Sequence, residues 1–154
     1  MSLENLPRWL TASIFKHMDD RKGDWYCYIE GQERQTNEQH DWIEIRRDGP
    51  NLTETSKDYW YVYMEINVLI SSAINKEDLY RIDRMVGTVV EAMKNFIRVY
   101  KYNDGDELIG CLKLITDDKG KKRLQVNHFG QIEPKTPLLQ ASVEGHYEMI
   151  FETN

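Results

Sequence analysis

The stretch that decides the fold runs from residue 59 to residue 70 and reads Tyr59-Trp60-Tyr61-Val62-Tyr63-Met64-Glu65-Ile66-Asn67-Val68-Leu69-Ile70. Its even-numbered residues are apolar without a break, and its odd-numbered residues form an amphipathic second face. Side chains of a β-strand point alternately to opposite faces, so this pattern predicts a strand. Because one face is apolar and the other half-apolar, the strand is expected to be central in its sheet.

The residues before this strand predict one helix and two more strands. A helix is expected over about residues 5–18, because Pro7 suits a first turn and the apolar residues that follow recur on one stripe. Two strand-like runs cover 24–30 and 39–47. The intervening segment 31–38 is polar enough to be a loop. Residues 48–57, Asp-Gly-Pro-Asn-Leu-Thr-Glu-Thr-Ser-Lys, are expected to form a second, longer loop, and long loops are often functional.

The residues after the strand predict a second helix and several closing strands. Over about 76–95 the apolar residues recur at spacings of three and four, and Asn75 is the expected N-cap. Strands are expected over 96–102, 107–115 and 139–152, with turns at 103–106 and 117–120. The element order predicts an α+β fold, a mainly antiparallel sheet with two helices packed on one face, in a single domain over residues 1–154.

Composition and charge favour a soluble protein that does not bind nucleic acid broadly. There are 26 Asp and Glu against 20 Lys and Arg, which gives a net charge of −6. Nucleic-acid affinity comes mainly from cationic groups, so this balance disfavours broad phosphate binding. No apolar run reaches the roughly 18–20 residues of a membrane helix, and the N-terminus lacks the order of a signal peptide. Cys27 and Cys111 are expected to be free thiols.

No motif predicts a catalytic, cofactor or metal site. The four histidines, at 17, 40, 128 and 146, have none of the usual metal-ligand spacings. The acidic groups at predicted turns lack the pattern of a calcium loop. Hydrolase, NTPase and dinucleotide signatures are also absent. The sequence therefore predicts a protein that is not an enzyme and needs no cofactor.

Aromatic and acidic side chains on the second faces of two strands point to assembly. Tyr59, Tyr61 and Tyr63 share the second face of the central strand, where they form either an interface or a second core layer covered by the loop 48–57. Asn51 and Thr53 of that loop join them as candidate interface residues. The final strand places Glu144, Glu148 and Glu152 on one face.

The chain resembles the tail-terminator (tail-completion) proteins of long-tailed bacteriophages. The likeness lies in the order and size of the elements and in four passages: Trp42 to Pro50, Asp58 to Leu69, Asp78 to Gly87, and Phe129 through Tyr147. The resemblance implies a ring, usually of six subunits, that caps the tail tube and joins it to the neck or head. It implies the tail tube protein and a neck or head-completion protein as partners, and a place in the virion after synthesis in the host cytoplasm.

If the sheet lines the channel of such a ring, an acidic lumen would repel DNA and let it slide through without specific binding. On this hypothesis Glu144, Glu148, Glu152, Asp104 and Asp106 face the channel, and the two polar loops contact the tube or the neck. Three alternatives stay open. They are a neighbouring neck or head-closure adaptor, a monomeric binding module, and a small metal-dependent hydrolase or nuclease with a site built from scattered carboxylates.

Overall fold

The fold is given by a computed structural model that describes residues 2–32, 41–74, 78, 80–131 and 138–153. A short 3-10 helix, Leu3–Asn5, precedes the first α-helix. The described helices and strands are α1 (Leu6–Asp19), β1 (Tyr26–Ile29), β2 (Trp42–Ser56), β3 (Tyr59–Ala73), α2 (Arg81–Met93), β4 (Ile97–Tyr100), β5 (Leu108–Leu114), β6 (Gln125–Gln131) and β7 (Leu138–Glu152).

The strands form a single sheet in the order β1-β2-β3-β7-β5-β4, and β6 also pairs with β7. The pairings are antiparallel except between β1 and β2, which run parallel. β3 is central, as its apolar face and its half-apolar face predict, and it pairs with β7 along its whole length. The predicted α+β class with a mainly antiparallel sheet is confirmed.

Both helices pack on one face of the sheet, as predicted. The even-numbered residues of β3 from Val62 to Ile70 are buried against them. The helix α1 contacts β1 and also β4, the first and the last strand of the sheet. The sheet must therefore curl around α1, and this curl encloses the core.

The C-terminal end of α2 is held by side chains from other elements. His17 of α1 meets the carbonyl oxygen of Ala92 through its Nε2, at 2.8 Å, and the Tyr147 hydroxyl of β7 donates to the carbonyl oxygen of Met93 at 2.7 Å. The last carbonyls of a helix have no partner within it, so these bonds satisfy groups that burial would otherwise penalise. Burial raises the pKa of Tyr147 and lowers that of His17.

The predicted loop over 48–57 is wrong, because these residues continue β2 as far as Ser56. They pair with β3 in register, with Asn51 opposite Tyr63 and Thr53 opposite Tyr61, and a bulge lies between Asp48 and Asn51. Turn-forming residues and low apolar content suggested a loop. The strand forms nonetheless because its backbone groups pair with β3 while most of its side chains stay exposed.

The second helix is shorter than predicted. It begins at Arg81, and Tyr80 occupies the N-cap without a side-chain hydrogen bond. The predicted cap Asn75 and its neighbours 76 and 77 lie outside the described residues. Asp78, which precedes the helix, forms an ion pair with Arg84 of α2. The pair holds the Asp78 carboxylate near the first turns of α2, where a negative charge is favourable.

Other predicted features hold. The helix over 5–18, the strand alternation of β7 and the turns at 103–106 and 117–120 are confirmed. Most of the predicted loop 31–38 lies outside the described residues. Cys27 and Cys111 are free, and burial raises the pKa of the Cys27 thiol to about 12. Across the described ranges, no helix has the length and apolar character to cross a membrane.

Candidate functional site on the open face of the sheet

We call the sheet face away from α1 and α2 the open face. It carries the odd-numbered residues of β3 and the even-numbered residues of β7, which lie opposite each other in the antiparallel register. Its net formal charge is negative. Among the strand residues that the structure describes, the open face carries three cations, Arg46, Arg98 and Lys113, and six carboxylates, namely those of Glu44, Asp48, Glu65, Glu144, Glu148 and Glu152.

Three of the five residues predicted to face a channel lie in one row on the open face. Glu144, Glu148 and Glu152 follow β7, and eight residues of strand separate the first from the last by about 26 Å. Asp104 and Asp106 do not join this row. They lie in the exposed turn between β4 and β5, where Asp106 accepts a hydrogen bond from a backbone amide of that turn at 3.2 Å.

The structure brings the five predicted interface residues together. Tyr59, Tyr61 and Tyr63 of β3 share the open face with Asn51 and Thr53 of β2, which lie opposite Tyr63 and Tyr61. All five belong to the β2–β3 hairpin. The second core layer considered above would have needed cover from residues 48–57, and these form a strand beside the tyrosines instead.

Two of the three tyrosines bond to the acidic row of β7. Tyr61 donates a hydrogen bond to Glu148 at 2.6 Å, and the Tyr59 hydroxyl reaches Glu152 at 3.4 Å. The bond to Glu148 raises the pKa of Tyr61 to about 12, because ionisation of the phenol would place two anions in contact. The predicted interface and the predicted channel residues are therefore parts of one hydrogen-bonded surface.

A cluster of metal-ligating side chains lies in the middle of this surface. Glu65, Glu144 and His146 each offer one ligand atom, and these atoms lie within 4.8 Å of one another. His146 Nε2 is 3.3 Å from Glu144 Oε1, and its Nδ1 is hydrogen-bonded to the Tyr63 hydroxyl. The neighbouring Glu144 carboxylate raises the pKa of Glu65, since a proton shared between two close carboxyl groups relieves their repulsion, and burial adds to the effect.

A cleft of about 350 Å³ opens beside this cluster. Its lining includes Tyr63, Glu144 and His146 together with Asp117, Arg123 and Gln125. Arg123 belongs to the basic segment 119–123, whose residues are solvent-exposed at a hairpin tip. The cleft therefore connects the cluster to solvent, and its lining carries charges of both signs.

Sequence reasoning missed this cluster. Glu144 and His146 are two residues apart on one strand face, and that spacing is visible in the sequence. The third member, Glu65, becomes a neighbour only through the register that sets it directly opposite His146. Strand alternation alone left that register undetermined, so the only sequence signal was a Glu-x-His step on a strand face.

Comparison with known proteins identifies no family. No protein-family model matches the chain, and no curated protein matches it. One solved structure, of a protein whose name states no function, shares 8% sequence identity over 97% of this chain and 96% of that chain, with a TM-score of 0.49. Similarity at this level carries no argument about function. The structure thus shows an α+β domain with an acidic sheet face, on which tyrosine hydroxyls are hydrogen-bonded to neighbouring side chains.

Proposed function

We propose that this protein is a structural, ring-forming virion protein that caps the tail tube of a long-tailed bacteriophage and joins it to the neck or head. The observation that carries the proposal is the open face, where six carboxylates outnumber three cations among the described strand residues. One of those cations, Arg46, is already paired with Glu44 at 3.3 Å. A continuous acidic sheet is unsuited to nucleic-acid binding and well suited to letting DNA pass.

The two borders of the sheet support assembly into a ring. A ring of identical subunits needs two different surfaces that complement each other. Exposed apolar side chains lie near both borders: Tyr26 in the edge strand β1, and Val126 and Phe129 in β6 at the other side of β7. Contacts between these borders would build a head-to-tail ring and leave the open face free.

In this arrangement the open face lines the channel with Glu144, Glu148 and Glu152. The exposed residues Asn51 and Thr53, together with the outer edge of β2, are the candidate contacts to the tail tube or the neck. Beyond Ile45, β2 pairs with β3 alone among the strands described, so this edge is available. Pro50 and the bulge beside it discourage random pairing along that edge. The expected partners are further copies of the chain, the tube protein and a neck or head-completion protein.

The first test is the mass of the purified chain, measured by light scattering at several concentrations with and without purified tail tubes. A ring-sized species, or a monomer that becomes a ring when tubes are added, supports the proposal. A monomer at every concentration that ignores tubes contradicts it and favours a binding module.

The acidic channel is tested by a triple charge reversal, Glu144→Lys, Glu148→Lys and Glu152→Lys. We expect a ring of unchanged mass that retains duplex DNA at low salt, whereas the wild-type ring does not. The control, which reverses two carboxylates instead of three, is Asp83→Lys with Glu91→Lys at two exposed positions of α2. A triple Gln variant, which keeps a hydrogen-bond partner for Tyr61, guards against loss of folding. Equal DNA retention by the reversal and its control would contradict the channel assignment.

A neighbouring neck or head-closure adaptor would share the acidic face and differ in what the two ends of the ring bind. Co-sedimentation with tail tubes distinguishes the two, since a terminator sediments with them and an adaptor does not.

The cluster of Glu65, Glu144 and His146 beside a cleft favours a second candidate, a metal-dependent hydrolase. Hydrolysis of an activated phosphodiester in the presence of Mn²⁺ by the wild type, lost in Glu65→Gln, would favour that candidate over the structural function.

A further inference from the structure

We infer that Glu65, Glu144 and His146 form a binding site for one divalent transition-metal cation that ties β3 to β7 on the open face. The three ligand atoms already lie within 4.8 Å of one another. Ligands at about 2.1 Å from a tetrahedral Zn²⁺ are about 3.4 Å apart, so small side-chain rotations suffice to close the site. This inference is independent of the ring.

The backbone holds these ligands in place. Glu65 lies directly opposite His146 in the antiparallel register, and Glu144 is two residues from His146 on the same face. Both strands are fifteen residues long and pair along their whole length. Ligands carried on paired strands keep their spacing better than ligands on loops, which lowers the cost of organising a site.

Among the described residues, no lysine or arginine forms an ion pair with the carboxylates of the cluster. Across the described parts of the chain, neither Glu65 nor Glu144 lies within 4.0 Å of a Lys or Arg nitrogen. Asp48, which lies opposite Glu65 on β2, adds a further negative charge. Close carboxylates without a counter-charge repel each other, and a divalent cation would remove that repulsion.

The imidazole of His146 is oriented so that its Nε2 faces the proposed metal position. The Tyr63 hydroxyl holds His146 Nδ1, and His146 Nε2 faces Glu144 at 3.3 Å. A histidine ligand usually has its second ring nitrogen fixed in this way, so Tyr63 has the position of an outer-sphere partner. One imidazole with two carboxylates suits Zn²⁺ or Mn²⁺ better than Mg²⁺ or Ca²⁺, which prefer oxygen ligands alone.

Two features outside the cluster also point to a bound cation. Asn67 lies directly opposite Glu144, and its side-chain oxygen is buried with no hydrogen-bond partner among the residues described. A buried oxygen without a partner is costly unless a ligand or water satisfies it. The cleft of about 350 Å³ beside Glu144 and His146 gives an entry path and room for water in the remaining coordination positions.

The test is calorimetric titration of the full-length, EDTA-treated protein with ZnCl₂ and with MnCl₂ at pH 7.5. We expect one site per chain, and a rise in Tm of about 5–10 °C at a metal concentration one hundred times Kd. Titration with Co²⁺ gives a direct readout on the wild type, because visible absorption reports coordination by nitrogen and oxygen. Absence of saturable binding of all three ions up to millimolar concentration overturns the inference.

Variants locate the site. His146→Ala and Glu65→Gln should weaken binding at least 100-fold, and Tyr63→Phe should weaken it about 10- to 100-fold. The matched control is His128→Ala, an exposed histidine of β6 outside the cluster, which should bind as the wild type does. Urea midpoints measured without metal show that each variant folds. Wild-type affinity in His146→Ala would overturn the assignment even if the protein binds metal.

The molar mass of the same samples, measured by light scattering, separates this inference from the proposed function. A ring that binds no metal leaves the structural function standing and removes the site. A monomer that binds metal at these residues keeps the site and contradicts the ring.

Discussion

Replacing Tyr147 with phenylalanine removes a single hydroxyl from the core and leaves its ring in place. Tyr147 is fully buried, and its hydroxyl donates to the carbonyl oxygen of Met93, the last residue of α2. The variant loses that bond and leaves a buried carbonyl without a partner, a cost of about 2 kcal/mol. For a domain of this size that corresponds to a fall in Tm of about 4–8 °C.

Two tyrosines of the open face provide matched comparisons for the same chemical change. Tyr61→Phe loses a bond of 2.6 Å to a carboxylate at a half-buried position, where water partly replaces it, so we expect about 1 kcal/mol. Tyr59→Phe loses an exposed contact of 3.4 Å, and we expect less than about 0.5 kcal/mol. The expected order of destabilisation is therefore Tyr147, then Tyr61, then Tyr59.

Urea unfolding followed by tryptophan fluorescence measures the three free energies, provided that the slopes agree among the variants. Light scattering on the same samples tests whether Tyr59 and Tyr61 serve assembly. A large loss of oligomer in Tyr59→Phe with little loss of stability supports their place at an interface. A free-energy loss in Tyr59→Phe equal to that in Tyr147→Phe, or none in Tyr147→Phe, would refute the reasoning.

Three further outcomes follow from buried groups. Because burial lowers the pKa of His17, its contribution to stability is present above about pH 6.5 and is lost as the pH falls, so His17→Gln should flatten the urea midpoint between pH 7 and pH 5. Gly145→Ala should cost about 1–3 kcal/mol in urea unfolding, since its new methyl group would meet three core side chains within 3.1 Å, whereas Gly110→Ala, which meets a flexible methionine end, should cost less. A thiol reagent should label Cys111 well before Cys27, as mass spectrometry would show, and equal labelling rates would contradict the burial of Cys27.

The part of the fold that could be predicted is the part in which apolar residues repeat. β3 and β7 are read correctly because each has a continuous apolar face, and α1 because its apolar residues recur on one stripe. The second half of β2 was misread because its side chains are polar and stay exposed. Its strand is stabilised by backbone pairing with β3, which leaves no trace in a hydrophobic pattern.

The candidate site was predictable only in part for a related reason. The acidic row of β7 and the tyrosines of β3 each follow from alternation along one strand. Their contact depends on the register between two strands, which alternation within either does not fix. Glu65 and His146 are far apart in sequence and become opposite neighbours only when that register is set.

The position of β7 in the sheet has a consequence for how the chain is made. β7 is the last strand in sequence, yet it lies between β3 on one side and β5 and β6 on the other. During synthesis, the inner edges of β3 and β5 stay unpaired until residues 138–152 have emerged from the ribosome. Such edges pair readily with other chains. A nascent chain paused before residue 138 would therefore be at its greatest risk of aggregation. The sheet can be completed only after the fifteen residues of β7 have been made.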